Sequence, residues 1–277
     1  MLVKDVARNH CFTGLVDGLS QQIIEEMNLL VPNALVSFED LEVKLQTAAV
    51  NPFLQPSARL KLKQAIQQRR KPLKIASAYR TIAQQYLLYE WYKGNRCGIR
   101  LAASPSKSNH ENGLALDIPT SIPDFGAWKS ALASHGWSWF GPADPPHFTY
   151  HAPSGIRHDL ASLGVKAFQQ LWNKRHPGQS LLKVDGVYGA KTAAALANSP
   201  ADGYAARPLL IATDAPTADP EVAELQEALN RSGVAVSTDG LFNDTLEGAV
   251  KQFQSARGLK ADGIVGVMTR LELGLPV

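Results

Sequence analysis

The stretch Ser108 to Asp117, SNHENGLALD, sets His110 and Asp117 seven positions apart with Gly113 and Ala115 between them, and Asp144 to Phe148, DPPHF, supplies His147. Two imidazoles and one carboxylate make a three-ligand set with an open fourth position, which is how a catalytic zinc site is built. The expected ligands of one zinc ion per chain are therefore His110, Asp117 and His147. Such an ion acidifies water and polarises a scissile carbonyl. Asp144, three residues before His147, is the candidate general base, taking a proton from that water and passing it to a leaving amine. Arg80 is the candidate for holding an oxyanion or a substrate carboxylate, since its planar fork suits both. His10, His135, His151, His158 and His176 lie in no such context and read as ordinary, with His151 nearest to the site in sequence.

These groups converge only if the chain turns tightly after His110, which Gly113 permits, and if a strand then carries Asp117. Leu114 to Ile118 reads as that strand, and His147-Phe148-Thr149 as another. LKIASA, Leu73 to Ala78, alternates and follows Pro72, so it reads as a third strand. Helices are expected over Gln21–Leu30, over Ser37–Val43 from a capping-box pattern, over the basic stretch SARLKLKQAIQQRRK, over IAQQYLLYEWYKG and over Phe125–His135. Trp137, Trp139 and Phe140 read as core and pocket wall.

After Tyr150 the texture changes. Three segments repeat one pattern: a helix with an apolar residue followed by Gln, then Asp-Gly, then a second helix. They span Val165–Leu196, Val222–Ala249 and Val250–Leu273, with turns at Asp185-Gly186, Asp239-Gly240 and Asp262-Gly263. Asn198 to Pro220 is rich in Ala, Pro, Asp and Thr and reads as a linker. The expected organisation is a catalytic domain over 1–155, a partial helical segment over 156–200, a linker over 201–217 and a helical domain over 218–277.

The 277 residues carry a net charge of +3, too weak a bias to argue for nucleic acid but compatible with an anionic surface. No run reaches the roughly 18 apolar residues of a membrane span, and the N-terminus has no sustained apolar core of a secretory signal. Cys11 and Cys97 either pair or stay free. A monomer is expected.

SNHENGLALD fits S-x-H-x-x-G-x-A-x-D at every fixed position. Together with SAYRT and DPPHF it resembles the zinc D-alanyl-D-alanine carboxypeptidase and L-alanyl-D-glutamate endopeptidase family, over roughly residues 35 to 151. The resemblance implies cleavage of peptidoglycan stem peptides at the cell wall, outside the membrane. It also implies an α+β domain with a small antiparallel sheet and flanking helices, followed by small all-α modules. It assigns zinc to His110, Asp117 and His147, the base to Asp144, the transition-state or substrate arginine to Arg80, and polar pocket roles to Ser108 and to Gln84 or Gln85. Carboxypeptidase members often carry Glu and Trp before the last His. Asp144-Pro145-Pro146 looks more like the endopeptidase branch. The repeats resemble a peptidoglycan-binding module: the second and third make one complete unit, with Asn243 in place of a glycine, and the first matches only the latter half. The competing readings are a wall-binding protein with a structural or vestigial metal site, and a non-enzymatic wall anchor. The intact base position and the open ligand slot favour the enzyme.

Overall fold

The computed structural model describes residues 1–152, 154–176, 181–204, 210, 212, 216–259 and 261–275. Its contacts divide the chain into two compact units, Met1–Tyr204 and Ala205–Val277. Most of the expected linker lies outside the described residues.

The first unit opens with helix α1 (Val3–Asn9), a short 3-10 turn (Thr13–Val16) and α2 (Asp17–Leu30). Short strands β1 (Val36–Ser37), β2 (Val43–Leu45) and β3 (Phe53–Leu54) lead to α3 (Pro56–Arg69), β4 (Leu73–Ile75) and α4 (Ile82–Lys93). The helix expected over Ser37–Val43 does not form. The Ser37 hydroxyl accepts the Glu39 N–H in a local turn, and Asp40 pairs with Arg59 of α3 instead of capping. The chain then runs on as β2, paired in parallel with β4. A capping pattern alone does not make a helix where the backbone finds a sheet partner.

Next come β5 (Ala115–Asp117), α5 (Phe125–Ala133), β6 (Trp137–Trp139) and β7 (His147–Tyr150). They form a three-stranded antiparallel sheet in the order β5-β7-β6. One face packs on α3 and α5 through Leu62, Ile66, Leu116, Trp128, Trp137 and Phe148, all buried. This is the α+β architecture expected, with helices flanking a small antiparallel sheet.

The texture change near residue 155 does not begin a separate unit. Helices α6 (Leu160–Arg175) and α7 (Ala190–Ala197) share one apolar core with α1, α2 and α4, built from Val6, Leu19, Ile23, Leu87, Phe168 and Leu196 among others. Lys174 of α6 reaches the buried Glu26 of α2 at 2.8 Å. The chain ends of this unit are stitched together, with Val3 N–H donating to Ser199 O and Ala201 N–H to Met1 O. The second unit is helical: α8 (Pro220–Arg231), α9 (Asp244–Ala256) and α10 (Val267–Glu272) around Leu225, Leu229, Val250 and Phe253.

Cys11 and Cys97 form a disulfide across 86 residues, tying the segment after α1 to the loop after α4. Closing so long a loop restricts the unfolded chain. Reduction, or the double variant Cys11→Ser/Cys97→Ser, should therefore cost the first unit roughly 2–4 kcal/mol. Calorimetry with and without reductant should show the first unit's transition falling while the second unit's holds.

Candidate metal centre

The sheet register brings the site together. In the β5–β7 ladder Asp117 lies directly opposite His147, so both side chains emerge on the same face. His110 arrives from the turn before β5. There the Gly113 N–H donates to the His110 carbonyl, and Gly113 sits at φ 61°. A Cβ at Gly113 would also come within 2.9 Å of Leu35 Cδ2, so both the conformation and the space call for glycine.

The three donor atoms form a nearly equilateral triangle. His110 Nε2 lies 3.2 Å from His147 Nδ1, Asp117 Oδ1 lies 3.2 Å from His110 Nε2, and Asp117 Oδ1 lies 3.1 Å from His147 Nδ1. Ligands roughly 2.0–2.1 Å from a tetrahedral ion lie about 3.3 Å apart, so the triangle has the size of one face of a zinc tetrahedron. It is the group of potential metal-holding side chains found among the described residues.

The ring orientations follow from the neighbours. His110 Nδ1 lies 2.6 Å from the Ala78 carbonyl, which can only accept, so Nδ1 carries the proton and Nε2 keeps its lone pair. Burial, and then Arg80, push the His110 pKa down against the pull of Asp117, which keeps the ring neutral. His147 places Nε2 3.0 Å from the Thr149 hydroxyl, leaving Nδ1 for the triangle. Burial works to raise the Asp117 carboxyl, but His110, His147 and Arg80 hold it well below the usual carboxylate range. Arg80 grips the second oxygen, Oδ2, at 2.7 Å and anchors its Nε on the Ser77 hydroxyl at 3.0 Å. His110 and Asp117 are thus pre-set for a divalent cation, and His147 turns Nδ1 to the same point.

Beside the triangle opens a cleft of about 290 Å³ lined by Thr13, Thr47, Ser77, Arg80, Asp117 and Pro146 among others. Asp144 lies in the turn before β7, where its backbone carbonyl accepts the His147 N–H at 3.1 Å. Its half-buried carboxylate has no hydrogen-bond or ion-pair partner among the described residues. The exposed Phe140 sets its ring edge-on to His147.

The polar residues proposed for a pocket are placed differently. Gln84 lines the cleft, but its amide is buried, donating to Ala49 O and accepting from Asn51. Gln85 is buried and donates to Ala103 O. The Ser108 hydroxyl, also buried, accepts the His110 N–H at 3.3 Å. All three act on the scaffold that holds the site. Of the histidines taken as ordinary, none joins the triangle, and His151 is exposed.

Residues 54–135 match the family model of D-alanyl-D-alanine carboxypeptidases, and residues 218–273 match that of the putative peptidoglycan binding domain. Both resemblances hold. Residues 54–135 are thus similar to D-alanyl-D-alanine carboxypeptidases, and residues 218–273 to a peptidoglycan binding domain. The carboxypeptidase match contains His110 and Asp117 and ends before Asp144 and His147. No curated protein and no solved structure matches the chain.

Sequence reasoning passed over Glu111. Its buried carboxylate accepts the Ser106 N–H at 2.7 Å and the Ser108 N–H at 3.1 Å. Burial pushes its pKa up to about 7, with those two N–H groups acting against the rise. Ser108-x-x-Glu111 is a capping-box spacing, the glutamate reaching back to the N–H of the serine, and that was the available signal. Glu111→Ala leaves the buried Ser108 N–H and the part-buried Ser106 N–H without their partner, at about 1–3 kcal/mol. The variant should melt earlier and bind zinc more weakly, and Glu111→Gln, which retains one acceptor, should fall between it and wild type in a thermal melt.

Proposed function

We propose that the protein is a zinc-dependent peptidase that cleaves a peptide bond in peptidoglycan stem peptides outside the membrane, as an endopeptidase of the L-alanyl-D-glutamate type. The observation that carries this reading is the donor triangle of His110, Asp117 and His147 beside the cleft, with its size fitted to a tetrahedral ion. When bound, the zinc ion supplies Lewis acidity to the scissile carbonyl and acidifies water.

The chain's own groups do the rest. The Ala78 carbonyl holds His110 in its ligand tautomer, and Thr149 orients the His147 ring. Asp144, tethered by its backbone to His147 but with a free carboxylate, accepts the proton of the attacking water and delivers it to the amine that leaves. Arg80 fixes Asp117 and offers its remaining N–H groups to the oxyanion that develops.

The choice of an endopeptidase draws support from the cleft. A carboxypeptidase must hold a substrate's terminal carboxylate, and Arg80 is the one cation among the described residues that line the cleft. Its Nε and Nη2 are held by Ser77 and Asp117 and its remaining N–H groups face the oxyanion, so no cation among these lining residues is left for a terminal carboxylate. The other polar groups there, such as Thr13 and Thr47, are neutral and suit an amide-linked chain that continues on both sides.

His110→Ala, Asp117→Ala and His147→Ala should each abolish hydrolysis and lose the metal, because two protein ligands hold zinc poorly. Asp144→Asn should keep stoichiometric zinc and lose roughly 10²–10⁴-fold in turnover. Zinc content by elemental analysis, with mass analysis of digested wall, checks both, and the fragments identify the bond cut. Full zinc in the three ligand variants would remove the assignment. Release of D-alanine alone would return the enzyme to carboxypeptidase chemistry.

The second unit serves delivery, since tethering raises the local concentration of substrate. A cut near residue 155 would strip α6 and α7 from the first core, so the informative truncation ends at Tyr204. Residues 1–204 should turn over a short soluble stem peptide much as the full chain does, and should lose activity on intact wall. Equal digestion of wall by both would leave the second unit without a targeting role.

A further inference from the structure

The first unit contains its own copy of the binding module's internal hydrogen-bond lattice. In the family-matched domain, the Gln254 amide donates to Asp262 Oδ1, Ile264 O and Thr269 Oγ1, and its oxygen accepts the Gly263 N–H. In α6, Gln169 donates to Asp185 Oδ1, Val187 O and Thr192 Oγ1, and accepts the Gly186 N–H. The four bonds of the first recur in the second, where Gln169 also accepts the Asp185 N–H. The partial module also lacks no partner helix, because α2 packs along α6 and supplies it. Gln22 of α2 clasps Tyr204, the residue after Asp202-Gly203, through both its amide groups, much as Gln226 clasps the Asp239-Gly240-Leu241 turn. Residues 1–30 and 160–204 thus build a discontinuous helical module around which the catalytic segment is inserted.

The Asp-Gly turn of this module faces a groove of about 390 Å³ whose other wall is the loop leading into His110. Ser106, Lys107 and Asn112 line one side, and Ser162, Val187 and Tyr188 the other. Val187 is 61% exposed, and the corresponding Ile264 of the matched binding domain is 37% exposed. An aliphatic side chain held out to solvent by the same buried lattice in both places is not explained by folding. The Lys107 ammonium, the Ser106 hydroxyl and the Asn112 side-chain NH2 have no partner among the described residues. Unpaired donors beside an exposed aliphatic side chain and a tyrosine suit a neutral, hydroxyl- and acetamide-bearing chain, which presents acceptors along its edges and apolar ring faces.

We propose that this groove is a second wall-binding subsite, which takes the N-acetylated glycan strand of the substrate while the stem peptide occupies the cleft. The proposal rests on the peptidoglycan reading above and extends it from the peptide to the sugar backbone. One wall of the groove belongs to the Ser106–Asp117 segment that also carries two of the three donors, so the sugar site and the metal centre share a scaffold.

The test is hydrogen–deuterium exchange on the full chain, titrated with glycan oligosaccharides freed of peptide by an amidase. Backbone exchange should slow at least threefold in peptides covering 104–112 and 185–190. Val187→Glu and Lys107→Glu should each remove that slowing, with circular dichroism confirming the fold at these exposed positions. Protection confined to 218–273, or groove protection that survives both substitutions, would overturn the proposal. Hydrolysis of a short stem peptide, assayed on the same wild-type preparation, separates the two readings. Groove protection without hydrolysis leaves the sugar site standing and removes the peptidase. Hydrolysis without groove protection does the reverse.

Discussion

The β5–β7 register is the constraint on which the site depends. Antiparallel pairing puts Asp117 opposite His147, and slipping either strand by one residue would turn one of the two side chains to the opposite face. The buried side chains of Leu116 and Phe148 fix that register from below, since they alternate with the donors and fill the core under the sheet. The same pleat that buries the apolar residues therefore raises the polar ones into the cleft. His110 completes the set through a turn that requires glycine at position 113, and the Ala78 carbonyl and Thr149 hydroxyl then orient the two rings.

Around this ladder the electrostatics are arranged for a cation. Asp117 is buried, and its neighbours His110, His147 and Arg80 hold its pKa low against that burial, while burial pushes the His110 pKa down. A buried carboxylate in this setting would be costly without Arg80, whose bond to Oδ2 leaves Oδ1 directed to the triangle. Arg80 in turn depends on Ser77, and its backbone N–H reaches the His110 carbonyl at 3.3 Å. Each ligand is thus oriented by at least one group outside the triangle, which is how a metal site keeps its geometry while substrate comes and goes.

Much of this was legible in the sequence because it is local. His110, Gly113 and Asp117 lie in one ten-residue stretch, and a turn followed by an alternating strand projects them in a readable way. His147 was found by the short DPPHF stretch, and β4, α4 and α5 by periodicity and caps. What escaped was everything decided by distant partners. Ser37–Val43 has a capping pattern, yet β4 captures the residues after it as a strand. Gln84 and Gln85 sit on the right helix for a pocket, but Asn51, Ala49 and Ala103 bind their amides inside the fold. The half-module after residue 155 seemed free-standing because nothing in its own residues announces α2. Glu111 was hidden for the opposite reason: its spacing from Ser108 was visible, but its burial was not.

The stitched ends of the first unit have a consequence for how the protein comes into being. Helices α1 and α2 are made first, but the surface they must cover belongs to α6, α7 and the strand-like contact of Leu2 with Pro200. Emerging from the ribosome, the N-terminal helices can meet α4, but the rest of their core arrives only with α6 and α7. Contacts between such distant parts of the chain close slowly, because the entropy of the long intervening loop is lost before they are gained. The catalytic segment lies inside that loop, so a chain interrupted before α7 carries every donor of the metal centre without the clasp that closes the unit.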